Sequence, residues 1–241
     1  FPELERYFTV FTFDAVNTKL PESDIAFRSE LTFYFEQYKM QKLTNRIYPD
    51  FLETVNSQAQ SRPFMKLQPR SSIVSKIEKA KAGVFFFDAL GVEYLAFIQA
   101  KCENYGLISE VSVGRCELPS ITSTNKEFEI TCSNVKKISE LDELKHHSVN
   151  YDYTVCPYPI HIFRELEIID VELRRIASQL SQGLMEKAII LSDHGASRLA
   201  VLYGKESKSG IELEEKGVHS GRCCKIDADP HLPQACRPCK L

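Results

Sequence analysis

The sequence predicts an α/β fold, a doubly wound and mostly parallel sheet preceded by a mainly helical segment. Three observations carry this prediction. Gly83-Val84-Phe85-Phe86-Phe87 and Ala188-Ile189-Ile190-Leu191 are short, uninterrupted apolar runs. Such runs suit strands buried on both faces, as in a parallel sheet. Between them, Ile160, Phe163, Leu166, Ile169, Leu173, Ile176 and Leu180 recur at three- and four-residue steps, which is one apolar stripe of a helix. Strands alternating with helical patterns indicate βαβ units.

Taken along the chain, residues 1–60 are rich in aromatic and charged side chains, and Phe27, Leu31, Phe35 and Tyr38 fall at helical spacing. Residues 61–72 contain two prolines among polar residues and read as a connector. Residues 1–72 are therefore a mainly helical segment with its linker, and residues 73–222 the α/β core. Within the core, Gly91 to Glu103 is amphipathic, and Leu107 to Val113 is a second strand candidate. Residues 124–147 are polar and mixed, with a helix expected after the hydroxyl-rich loop that ends at Asn125. The helix of 159–182 is closed by Gly183, in the manner of a left-handed C-cap. After the strand at 188–191, Leu199 to Tyr203 is a further strand candidate. Residues 223–241 form a cysteine-rich, irregular tail.

Composition excludes little but sets bounds. The 241 residues carry a net charge of −3, with 43% apolar and 26% charged residues. That is ordinary for a globular protein, and no global basic field points to nucleic acid. No apolar run approaches the roughly 20 residues that span a bilayer. The chain opens on FPELERYF, in which we read no secretory leader; the missing Met suggests a piece of a longer protein. Cys102, Cys116, Cys132 and Cys156 have no spacing pattern and read as reduced thiols of a cytoplasmic protein. Cys236 and Cys239 form a C-x-x-C pair downstream of Cys223-Cys224, a partial match to a structural zinc pattern or a non-native end.

Two candidate sites share one structural address. Asp88 follows the first apolar run directly, and Asp193 and His194 follow the second after Ser192. Ligands of open α/β sheets bind outside the carboxyl ends of the strands. Carboxylate oxygen and neutral imidazole nitrogen are ligands of catalytic zinc, and manganese or magnesium also accept the carboxylates. Gly195 would let the backbone turn sharply beyond the pair. Singly, each residue also has a plain structural explanation: an Asp after a strand often caps the next helix. The third site is the hydroxyl-rich loop Pro119-Ser120-Ile121-Thr122-Ser123-Thr124-Asn125. It is either an ordinary Ser/Thr-rich N-cap loop or the source of a hydroxyl nucleophile, which a bound metal would help to ionise.

The order FFFDALG, PSITSTN, SDHG resembles the alkaline phosphatase superfamily. The loop is similar to the P-T-x-T-x-x-N nucleophile loop of its nucleotide pyrophosphatase/phosphodiesterase branch. The SDHGASR segment and the whole arrangement resemble the PglZ family, the phosphatase component of bacterial BREX phage-defence systems. The resemblance covers about Gly83 to Arg222 and is specific at about a dozen positions. It implies a metal-dependent phosphatase or phosphodiesterase of the cytoplasm. Thr122 would be the nucleophile, Ser123 a backbone oxyanion donor and Asn125 a phosphate contact. Asp88, Thr122, Asp193 and His194 would surround one divalent metal, zinc before manganese or magnesium. It also implies a phosphate-ester substrate (nucleic acid or nucleotide among the candidates), other BREX proteins as partners, and no membrane.

A second metal would need a later His. His219 is either that ligand or a loop residue. His161 and Asp170 lie inside the predicted helix and read as helix-face residues, and Asp152 has no supporting pattern. Arg198 and Arg222 either pair with phosphate or sit on the surface. The sulfatase pattern C/S-x-P-x-R is absent from the loop. The incomplete second site leaves an alternative from another class, a catalytically weak scaffold of a defence complex.

Overall fold

The computed structural model describes residues 2–11, 13, 18–19, 27–44, 46–78, 80–117, 122–125, 134–147, 159 and 161–195. Over these the chain runs through α1 (Pro2–Phe8), β1 (Thr18–Lys19), α2 (Arg28–Thr44), α3 (Pro49–Ser61), a 3-10 turn (Pro63–Lys66), α4 (Arg70–Lys76) and β2 (Ala82–Phe87). It continues through a 3-10 turn (Val92–Tyr94), α5 (Leu95–Asn104), β3 (Val111–Ser112), a 3-10 turn (Thr122–Thr124), β4 (Val135–Ile138), α6 (Glu140–His147), α7 (Ile162–Ser181) and β5 (Lys187–Leu191).

An α/β core forms around β2. Its AGVFFF sequence is buried at every position, because β4 pairs on one side and β5 on the other, both parallel to it. Side chains alternate across a strand. Phe85 and Phe87 accordingly join Tyr94, Phe97, Ile138 and Leu141 and the Leu166, Ile169, Leu173 and Ile176 stripe of α7. Val84 turns to the opposite face, with Ala82, Ile189 and Ile77. Each such side chain withdrawn from water contributes about 1.5–3 kcal/mol. The pairs Phe87↔Ile138 and Phe86↔Leu191 bring the carboxyl ends of the three strands to one level. That alignment places the site.

α7 falls within the helix expected at 159–182, with Leu166, Ile169, Leu173 and Ile176 of its stripe buried and Phe163 exposed, while Ile160 lies outside the described residues. Gly183 follows it at φ +69°, where a residue without Cβ is favoured. The Phe27, Leu31 and Phe35 face of α2 is buried against Phe11, Phe13, Leu67 and Ala96. No helix among the described residues is long and apolar enough to cross a membrane.

Two sequence expectations need correction. Leu107–Val113 yields only the two-residue β3, which pairs with β1 rather than with the β2 sheet. Gly106, at φ +69°, ends α5 and turns the chain outward, leaving Ile108 fully exposed. The polar stretch 124–147 contains β4 and α6. Its strand was hidden because half of VKKI is lysine, and the long lysine stems cover apolar surface while their heads reach acids. Residues 61–72, expected as a connector, have local structure of their own. They form the 3-10 turn of Pro63–Lys66 and the start of α4, and Pro69 bridges Arg115 in parallel. The strand expected at 199–203 and the tail at 223–241 lie outside the described residues.

Candidate metal centre

Asp88 stands one residue beyond β2. Its N–H donates to the Ile138 carbonyl at 2.9 Å, which prolongs the ladder with β4. Ala89 then adopts φ +63°, a left-handed conformation that costs a residue with Cβ about 1–2 kcal/mol. The turn directs the next two amides at the loop after β5. Ala89 N–H reaches Asp193 Oδ1 at 3.3 Å, and Leu90 N–H reaches Ser192 Oγ at 3.0 Å. Ser192 in turn donates to the His194 carbonyl at 2.9 Å. The loops after β2 and β5 are thereby tied together by backbone donors.

Gly195 is needed for a different reason from the one the sequence suggests. Its φ is not left-handed; a Cβ there would lie 3.2 Å from Gly91 Cα and 3.1 Å from the Tyr38 hydroxyl. A Cβ there would press on both neighbours, so their close approach favours glycine at this position.

This scaffold converges three ligand groups. Asp193 is 1% exposed and Asp88 6%. Asp193 Oδ1 accepts the Ala89 and His194 amides, the latter at 2.9 Å. Asp193 Oδ2 is left to face His194 Nε2 at 3.3 Å, and Asp88 Oδ1 faces the same nitrogen at 3.6 Å. One ligand atom from each of the three residues lies within 4.8 Å of the others. His194 Nδ1 lies 2.9 Å from the Gly195 carbonyl. A carbonyl only accepts, so in the neutral ring Nδ1 carries the proton and Nε2 turns its lone pair toward two carboxylates. Three acceptors facing one another repel unless a cation or a proton lies among them. Two carboxylates and an Nδ1-anchored imidazole are a donor set that suits catalytic zinc, with the second-sphere carbonyl that metal-binding histidines ordinarily have. Manganese is compatible with the same set.

Thr122 belongs to this centre. It is half-buried at the start of the 3-10 turn, and its hydroxyl donates to Asp193 Oδ2 in a short hydrogen bond. Ser123 is the middle residue of that turn. Asn125, fully buried, fastens the loop from below. Its Oδ1 accepts from Glu117 N at 2.9 Å and from an Arg70 guanidinium nitrogen at 3.4 Å. Its Nδ2 donates to Glu117 O and Thr124 Oγ1, each at 3.1 Å. For this amide to reach a phosphate, one of these bonds must be released.

The other sequence candidates separate clearly. His161 precedes α7 and lines a small cavity with Tyr7, Lys42 and Glu165. Asp170 binds Lys101 at 3.0 Å, Arg174 at 2.6 Å and the Tyr105 hydroxyl at 2.6 Å. Neither belongs to the cluster, and among the described residues no second group of metal-ligating side chains lies together. His219, Asp152, Arg198, Arg222 and the four C-terminal cysteines lie outside the described residues.

Two neighbours of the candidate site's side chains escaped the sequence. Arg70 sits in what read as linker. Lys137 sits on β4, its Nζ 2.9 Å from Asp88 Oδ2. The hydrogen bond to Asp88 holds the Lys137 ammonium above its ordinary pKa. Burial opposes this, and the charges of Asp88, Asp193 and Asp142 add to it. The only sequence signal for Lys137 was its alternate position in VKKI, legible once β4 is known to be a strand.

The fold and site together define a candidate metal centre at the carboxyl edge of a parallel α/β sheet. No family model, curated protein or solved structure matches the chain.

Proposed function

We propose that the chain is a metal-dependent phosphoric ester hydrolase, a phosphatase or phosphodiesterase acting through a covalent phosphothreonine at Thr122. The observation that carries this reading is the convergence of the Thr122 hydroxyl with Asp88, Asp193 and the His194 Nε2 lone pair. The resemblance of FFFDALG, PSITSTN and SDHG to the alkaline phosphatase superfamily and its PglZ branch supports it. On this reading the three parallel strands belong to that superfamily's larger doubly wound sheet. The protein would work in the cytoplasm in phage defence with other BREX components.

Asp88, Asp193 and His194 would hold one divalent cation beside Thr122, zinc first, with manganese or magnesium as alternatives. When bound, the cation would supply Lewis acidity that favours the alkoxide and neutralises phosphate charge. Asp193 Oδ2 orients the Thr122 hydroxyl through the bond it accepts. Thr122 Oγ forms the new bond to phosphorus while the ester P–O bond breaks, and the alcohol leaves with the proton. The Ser123 N–H, and the Asn125 amide if released from its loop bonds, would stabilise the equatorial oxygens. Water then attacks the phosphorus, which returns the Thr122 hydroxyl and releases phosphate from a monoester or a phosphomonoester from a diester.

The test is elemental analysis after incubation with zinc or manganese, followed by hydrolysis of a chromogenic phosphodiester. Wild type is expected to hold stoichiometric metal and turn over. Asp193→Ala is expected to lose the metal, and Thr122→Ala to keep metal and fold but lose turnover. Turnover by Thr122→Ala would remove it as nucleophile. The lack of a second ligand group among the described residues favours one other reading, a catalytically weak scaffold. Bound metal without turnover in wild type would select it.

A further inference from the structure

We infer that Lys137 is a phosphate-binding residue that supplies, at this centre, the second positive charge that a second metal ion would otherwise provide. The inference rests on the metal-dependent reading above and goes beyond it in assigning a residue and a role.

The argument begins with topology. In the order β4-β2-β5, the central strand delivers Asp88 and β5 delivers Asp193 and His194. Thr122 joins on the β5 side, through Asp193. From the β4 side Lys137, paired across from Phe86, brings an ammonium against Asp88. Asp88 is therefore shared. Its Oδ1 faces His194, and its Oδ2 takes the Lys137 ammonium.

Exposure separates the two halves. Asp88, Asp193 and His194 side chains are nearly closed to solvent, whereas the Lys137 side chain is 47% exposed. An ammonium set only to neutralise a buried carboxylate needs no such opening. Lys137 is anchored at one donor and has others to offer, because an ammonium carries three N–H bonds and acts as a compact point charge on a flexible stem.

Charge balance points the same way. By themselves, two carboxylates against one ammonium carry a net negative charge, which repels a phosphate ester. A divalent cation among the ligands reverses that sign to a single net positive charge, and the ammonium supplies that whole margin toward an anionic substrate. Without Lys137, the loaded centre would be neutral. Among the described residues the cluster has no ligands for a second cation, so the ammonium is the group placed to meet a phosphoryl oxygen beside Asp88.

Two opposed effects follow. Lys137 competes weakly with the cation for Asp88 and cooperates with it in binding phosphate. Removing the lysine should tighten metal binding and weaken phosphate binding. A residue that merely orients Asp88 would weaken metal binding and leave phosphate binding unchanged.

The experiment titrates Mn2+ into wild type, Lys137→Ala, Lys137→Gln and Lys137→Arg, read by the loss of the free-ion EPR signal. Inorganic phosphate is then titrated into each Mn2+-loaded protein by calorimetry, with thermal melts confirming the fold. Lys137→Ala and Lys137→Gln are expected to bind Mn2+ about two- to fivefold more tightly, the scale of an exposed ion pair. They should bind phosphate at least about tenfold more weakly, the scale of a charge-assisted hydrogen bond. Lys137→Arg should keep phosphate affinity near wild type. Weaker Mn2+ binding with unchanged phosphate affinity would overturn the inference and leave the metal-dependent reading standing. A wild type that binds neither Mn2+ nor, by elemental analysis, Zn2+ would overturn both.

Discussion

Ala89 holds a left-handed φ of +63° directly after Asp88, and it is 1% exposed. The strain is offset by what the turn secures, two amides directed at Asp193 and Ser192. Glycine adopts this conformation without steric cost but loses more entropy on folding, by roughly 0.5–1 kcal/mol. Ala89→Gly is therefore expected to leave the melting temperature unchanged or slightly raised, where most buried Ala→Gly changes lower it. A fall of several degrees would show that the left-handed turn carries no strain. At this scale much of the site was legible. Asp88, Asp193 and His194 each follow an apolar run, and that position alone places them at the strand ends. Lys137 was illegible, because a lysine in a polar stretch has no signature until its strand partner is known. The engagement of Asn125 with Glu117 was equally hidden, since an amide's partners lie in the fold and not in its neighbours.

Between elements, α5 and α7 are joined by one polar knot inside an otherwise apolar contact. Asp170 of α7 accepts from the Tyr105 hydroxyl just past α5 and from Lys101 on α5, and it also pairs with Arg174 on its own helix. Burial works against the Asp170 carboxylate, but the bonds from Tyr105, Lys101 and Arg174 prevail and hold its pKa below the ordinary 3.8. A carboxyl depressed in the folded state adds stability above its unfolded pKa and loses it as pH falls through the folded one. Asp170→Asn should thus lower stability by about 1–3 kcal/mol at neutral pH. The gap from wild type should close below about pH 4, as urea melts across the acid range would reveal. A gap that persists in acid would assign the effect to shape rather than charge. The helix itself was readable from its seven-residue stripe. β2 and β5 were readable from unbroken apolarity. β4 was not, since Lys136 reaches Glu172 at 2.6 Å and Lys137 reaches Asp88, and those long-range partners are what make VKKI a strand.

Over the whole molecule, the amino-terminal helices are keyed into the α/β core by Lys42. From α2 its ammonium donates to Glu93 at 2.9 Å, Glu165 at 3.1 Å and the Tyr94 hydroxyl at 2.6 Å, all buried. Burial alone would depress Lys42; Glu165 and Glu93 overcome it and hold the ammonium well above its ordinary 10.5. Its contribution is fully present below that value and is lost only as pH rises through the higher folded one. Lys42→Met leaves two buried carboxylates without their cation and should cost about 3–5 kcal/mol, by denaturant titration at neutral pH. A loss under 1 kcal/mol would mean that the amino-terminal helices and the core do not depend on this contact. The sequence placed Lys42 on a helix but could not reveal its partners, which come from two distant segments. The sheet order has a temporal consequence as well. β2 has no sequence neighbour in its sheet, and the bond from Ala89 to Asp193 spans 104 positions. Contacts of such separation form slowly. During synthesis the first half of the centre must wait, with its apolar central strand unpaired on one edge, until the last ligands emerge. On the metal-dependent reading proposed above, cation capture would then be the event that closes folding rather than one that follows it.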